Sequence, residues 1–135
     1  MILVDTNVLL DVASDDPKWA EWSTANLEIA ALEGPLLING VIYAELSSRY
    51  PTIEALEDFI EQAGLEIAEI PRSALFLAAK AFAGYRQAGG IRTGVLSDFF
   101  IGAHAAILDI PILTRDVKKF RTYFPDVTLR VPSKS

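Results

Sequence analysis

The sequence predicts an α/β fold in which a parallel sheet is covered on both faces by helices. Three observations carry this. Short apolar runs alternate with longer helical patterns along the whole chain, the order expected of repeated strand–helix units. Runs such as Ile2-Leu3-Val4 and Leu36-Leu37-Ile38 are apolar at consecutive positions, as strands buried on both faces are. The 135 residues are 51% hydrophobic and 22% charged, which suits a single domain spanning 1–135 with a real core and excludes a disordered or collagen-like chain.

The elements follow in order. Ile2 to Asp5 reads as a buried strand ending in a carboxylate, and Asn7 to Ala13 as a helix. Asp15-Asp16-Pro17 supplies an aspartate cap and a first-turn proline for a longer helix that stops at Gly34. Trp19, Trp22, Asn26 and Ile29 share one face of it, and Trp19 and Trp22 read as core or partner-groove residues. Leu36 to Ile38 is the second strand. Asn39 caps a helix through Glu45 to about Tyr50, which Pro51 ends. Thr52 caps another to Gly64, and Leu65 to Ile70 forms the third strand. A strongly apolar helix runs from Ser73 to Gly89-Gly90, and Gly89 to Gly94 reads as a mobile loop. Ser97 or Asp98 opens the next helix. Ile110 to Leu113 is the fourth strand, Val117 to Tyr123 a helix, and Val127 to Val131 the fifth strand.

Cysteine is absent, which excludes a disulfide framework, a thiolate zinc site and a cysteine nucleophile. The opening apolar run meets Asp5 too soon for a signal-peptide core, and no run approaches the roughly 20 residues that span a bilayer. A cytoplasmic protein without membrane attachment is the expectation. The net charge of −6 hides a polarity: residues 1–71 hold 14 acids and 2 bases, whereas residues 72–135 hold 4 acids and 10 bases. Such polarity marks either a charged partner or two differently charged surfaces.

Ligands of open parallel sheets bind beyond the carboxyl ends of the strands. Asp5 ends the first strand and Asp116 follows the fourth, so both belong on that rim. Glu45 and Asp98 are acids embedded among apolar residues on the helices after the second strand and before the fourth. A buried unpaired carboxylate is costly. Each acid also has a plainer role open to it: Asp5 and Asp98 as helix caps, Glu45 as a solvated helix residue, Asp116 as a turn aspartate. Four acids converging on one rim repel unless a cation joins them. Oxygen donors without Cys or His point to Mg²⁺ or Mn²⁺ rather than zinc.

The ordered set Asp5-Thr6-Asn7, Glu45, Asp98-Phe99-Phe100-Ile101-Gly102-Ala103 and Leu113-Thr114-Arg115-Asp116-Val117-Lys118-Lys119-Phe120 resembles the PIN domain, and more narrowly the VapC-type toxin ribonucleases of toxin–antitoxin pairs. The likeness covers essentially the whole chain. It implies a three-layer α/β/α sandwich with a five-stranded parallel sheet in the order 3-2-1-4-5. It also implies Mg²⁺- or Mn²⁺-dependent endoribonuclease activity, a cognate antitoxin, a homodimer, and operator DNA met only through the antitoxin. Carried over by position, Asp5, Glu45, Asp98 and Asp116 are the catalytic and metal-holding acids, with Asn7 and Thr114 as polar supports.

Around that set, Arg92 in the glycine-rich loop and Arg115 beside Asp116 are candidates for phosphate contacts. Lys118, Lys119 and Arg121 form a basic strip that suits an RNA backbone or a wet helix face. His104, the only histidine, falls off the Asp98 face of its helix and fits packing or an interface better than catalysis. Two other functions are open to a fold of this class. A receiver-like phospho-signalling module needs paired acids after the first strand, an acceptor after the third and a lysine after the fifth. The chain offers Asp5-Thr6-Asn7, Ile70-Pro71-Arg72 and Val131-Pro132-Ser133-Lys134, a poor fit. A catalytically inactive PIN-fold binding domain is at odds with the intact set of acids.

Overall fold

A computed structural model describes residues 1–92 and 94–132. Five strands, β1 (Ile2–Val4), β2 (Leu36–Ile38), β3 (Leu65–Ile67), β4 (Ile112–Leu113) and β5 (Leu129–Arg130), form one sheet in the order β3-β2-β1-β4-β5. Every neighbouring pair is parallel. Successive residues of a strand point to opposite faces. Ile2, Leu3 and Val4, like Leu36, Leu37 and Ile38, are nevertheless all buried, so helices cover both faces and the fold is the expected three-layer sandwich.

The helices are α1 (Thr6–Ala13), α2 (Ala20–Glu33), α3 (Gly40–Ser47), α4 (Ile53–Gln62), α5 (Arg72–Gln87), α6 (Leu96–Leu108) and α7 (Lys118–Arg121). Asn39 and Thr52 cap α3 and α4 as their side chains predict, accepting from the N–H groups of Ile42 at 3.0 Å and Ala55 at 3.2 Å. Asp16 accepts from the N–H groups of Lys18 and Trp19, and Ala20 donates to the Asp16 carbonyl. Asp16 and Pro17 thus open the turn that runs into α2.

Several boundaries are tighter than the sequence predicts. β3 stops at Ile67, where Glu66 and Ile67 already face solvent at the sheet edge. α7 is a single turn, and β5 keeps only the residues that pair with β4. α6 begins at Leu96, so neither Ser97 nor Asp98 opens it. The predicted loop over 89–94 includes Thr93, which lies outside the described residues, as do Ser133 and Lys134. On α2 the side turned to the core carries Ser23 and Ala30, while Trp19 and Trp22 are half-buried and Ile29 is exposed. Gly102 of α6 lies so close to the Phe124 ring that a Cβ there would collide with it, which fixes the α6–α7 side of the core. Among the described residues no helix is long and apolar enough to cross a membrane.

Candidate active site

The site forms where β1 and β4 end. These strands are adjacent and parallel, so their C-termini open on the same rim, and Asp5 and Thr114 follow them directly. Asp5 is fully buried. One carboxylate oxygen caps α1, accepting the Thr6 N–H at 2.8 Å. The other accepts the Thr114 hydroxyl at 2.8 Å and faces the Lys119 ammonium at 3.5 Å. Its capping role is therefore real, and occupies only one of its two oxygens.

Thr114 is the hub of this corner. Besides donating to Asp5, its hydroxyl accepts from the Asp116 N–H at 3.1 Å and from Asn7 Nδ2 at 3.4 Å. Asp116 takes the turn role as well, its carboxylate accepting the Lys118 N–H at 3.1 Å. Asn7 has its amide nitrogen occupied in this way, but its Oδ1 is buried and has no partner among the described residues.

Glu45 is half-buried on α3 and is held by hydroxyls from two directions. Thr6 Oγ1 donates to one carboxylate oxygen at 2.6 Å and Ser97 Oγ to the other at 3.2 Å. Thr6 neighbours Asp5 and Ser97 neighbours Asp98, so Glu45 joins the same cluster. A purely solvated helix role does not describe it. Asp98 lies in the first turn of α6, its N–H donating to the Val95 carbonyl. It is not the helix cap, and its carboxylate meets Lys119 at 3.4 Å.

Burial raises the Asp98 pKa from its ordinary value, the nearby Asp5 and Glu45 push the same way, and Lys119 opposes them. Burial pulls Lys119 down, yet Asp5, Asp98 and Asp116 together outweigh it and hold the ammonium charged. One ammonium shared between two carboxylates does not fully offset the burial of Asp98. The corner is short of positive charge.

All four predicted acids therefore gather at one rim, with Asn7 and Thr114 in their midst. They do not close into a shell: among the described residues no group of three or more acids stands close enough to enclose an ion by itself. The pairwise convergence of Asp5 and Asp98 on a cation, together with the orphaned Asn7 Oδ1, nevertheless fits an oxygen-seeking metal. Mg²⁺ keeps several waters and needs only one or two carboxylates directly.

The basic candidates separate. Arg92, Lys118 and Lys119 line a cleft of about 300 Å³ together with Asp98, Asp116 and Tyr85, and the Arg92 N–H donates to the Tyr85 hydroxyl at 2.9 Å. Arg115 turns away from this cleft. Its guanidinium grips Asp11, a buried acid of α1, through two hydrogen bonds of 2.8 and 3.1 Å, and stands over the Trp19 ring at 5.3 Å. Asp11 also accepts the Ser23 hydroxyl at 2.9 Å.

The sequence alone assigns no site role to Asp11, Thr6 or Ser97. Asp11 lies four residues after Asn7, on the same helix face. Thr6 and Ser97 adjoin the two predicted acids, the cheapest signal for supporting hydroxyls. His104 is fully buried, and Asn39 Nδ2 lies 3.0 Å from its Nδ1. An amide nitrogen only donates, so Nδ1 accepts and the proton sits on Nε2, which has no partner among the described residues. His104 is a packing residue, remote from the acids' hydrogen bonds.

Acids gathered at the ends of β1 and β4 of a five-stranded parallel sheet place the chain in a fold class, and a PIN domain model matches residues 2–124. The chain belongs to the PIN domain family. Among solved structures it is similar to VapBC2 from Rickettsia felis bound to a promoter DNA fragment, with a TM-score of 0.72 and 22% identity over 97% of this chain and 98% of that one. A toxin–antitoxin complex from Klebsiella pneumoniae gives 0.67 and 19% over 95% and 96%. FitAcB from Neisseria gonorrhoeae gives 0.66 and 24% over 96% of each chain. No curated protein matches the sequence.

Proposed function

We propose that this chain is a Mg²⁺- or Mn²⁺-dependent endoribonuclease acting as the toxin of a VapC-like toxin–antitoxin pair. The observation that supports it most is the meeting of Asp5 and Asp98, 93 positions apart in the sequence, on one cation position at the strand ends. Asp5 and Asp98 would hold the metal directly, Asn7 Oδ1 offers a neutral oxygen beside them, and Glu45 and Asp116 would reach it through water. Such an ion supplies an activated water and offsets charge at the scissile phosphate.

The chain's own residues do the rest. Thr114 and the Thr6 N–H fix both oxygens of Asp5, so this ligand needs no reorganisation. Thr6 and Ser97 orient Glu45. Arg92 and Lys118 give the adjoining cleft the positive lining that an RNA backbone requires. Arg115, committed to Asp11, serves the β4–α7 turn first and reaches phosphate only with the edge left exposed. By similarity to the toxin–antitoxin complexes, the partners are a cognate antitoxin and, through it, operator DNA; a second copy of the chain is a further partner that the family resemblance implies. A cytoplasmic site of action accords with that reading. PIN membership sets the receiver alternative aside, and the inactive-domain alternative is the other outcome of the test.

That test is sequencing of cellular RNA 5′ ends after brief expression of wild type and Asp98→Asn. New 5′-phosphate ends confined to the wild type are expected. Identical end profiles from both proteins would leave an inactive PIN-fold domain as the correct reading.

A further inference from the structure

Lys119 sits where a basic RNA-binding strip does not need it. Of two adjacent lysines on α7, Lys118 faces solvent, whereas Lys119 turns inward, with its ammonium 3.5 Å from Asp5 and 3.4 Å from Asp98. From that position its charge is directed first at the two carboxylates rather than at the solvent that Lys118 faces. The side chain is 27% exposed and borders the cleft of about 300 Å³ shared by Arg92 and Lys118. A way out is therefore open.

We propose that Lys119 is a resident counter-cation of the acidic site, displaced into the neighbouring cleft when a divalent metal binds. The inference rests on the metal-site reading above and assigns a positioning role to one more residue. A divalent ion and an ammonium compete for the gap between the same two carboxylates, because like charges a few ångströms apart repel at a partly buried site. Metal entry therefore favours the departure of Lys119.

Two effects follow. Without metal, the ammonium stabilises a buried pair of acids that would otherwise repel. With metal, the freed ammonium joins Arg92 and Lys118 beside the cleft, so metal binding adds a positive charge to the surface RNA would touch. Metal affinity is lowered by the free energy of displacing the lysine, and removing that competitor tightens binding.

The first experiment is calorimetric titration of Mg²⁺ or Mn²⁺ into wild type, Lys119→Met and Lys119→Arg, with thermal melting in chelator and in saturating metal. Lys119→Met is expected to bind metal tenfold or more tightly than wild type. It should also melt lower than wild type in chelator and gain more on adding metal. Lys119→Arg should return towards wild-type affinity. Equal or weaker metal binding by Lys119→Met overturns the inference and leaves the metal site standing. No binding by any variant overturns both.

A second measurement needs no variant. Acetylation of Lys119 in the wild type, read by peptide mass, should rise severalfold when Mg²⁺ is added. Labelling that stays constant or falls contradicts displacement.

Discussion

Removing one hydroxyl tests how the acidic corner is held. Thr114→Val keeps the side-chain volume in a fully buried position but deletes the group that donates to Asp5 at 2.8 Å and accepts from the Asp116 N–H at 3.1 Å. A hydrogen bond to a charged group contributes about 1.5–3 kcal/mol, and the part-buried Asp116 N–H left without its acceptor adds at most about 1 kcal/mol. The Asn7 contact at 3.4 Å is too long to add much. The expected loss is about 3 kcal/mol. Urea unfolding in chelator reads it directly: with a slope of about 2 kcal/mol per molar, the midpoint falls by about 1.5 M. The slope itself should not change. A midpoint shift below about 0.5 M would refute the reasoning, because Asp5 would then be satisfied by some other donor.

Two further outcomes follow from buried groups outside the acidic corner. Arg115→Met leaves Asp11 buried with Ser23 as its one remaining donor among the described residues; breaking a buried pair costs about 3–5 kcal/mol, and the one-third exposure of Arg115 places the loss near the lower end. Adding Asp11→Leu should recover most of it in a double-mutant cycle, and additive losses would show that the two residues act independently. Burial lowers the pKa of His104 below its ordinary 6.5. Below that value the unfolded chain binds a proton the folded one excludes, so this stability is full above pH 6.5 and is lost as pH falls. His104→Gln should flatten the stability profile between pH 7 and 5, and an unchanged profile would assign the acid sensitivity to other groups.

Local chemistry made much of the fold legible. Asn39 and Thr52 announce helix starts with side chains that accept from nearby N–H groups, Asp16-Pro17 opens only the turn before α2, which starts at Ala20, and the consecutive apolar residues of β1 and β2 announce burial on both faces. Strand ends were less legible, since pairing across the sheet, rather than propensity, stops β3 at Ile67. The four acids could be gathered because strand ends define a rim. What lay beyond the sequence was direction. Adjacent residues on a helical turn differ by about 100°, and nothing local says which of Lys118 and Lys119 faces inward. Arg115 likewise looks like a phosphate contact until Asp11, 104 positions away in sequence, is brought beside it. Asn39 reads as a cap, and its second partner, His104, appears only once α6 is docked.

Asp5 and Asp98 are proposed to form a divalent-metal site for cutting RNA. Cleavage of a structured RNA by purified wild type, Asp5→Asn and Asp98→Asn, each with chelator and with Mg²⁺ or Mn²⁺, tests it most directly. Chelator should abolish wild-type cleavage, added metal should restore it, and each substitution should lower the metal-restored rate at least a hundredfold. Chelator-resistant cleavage, or substituted proteins cutting at the wild-type rate, would contradict it.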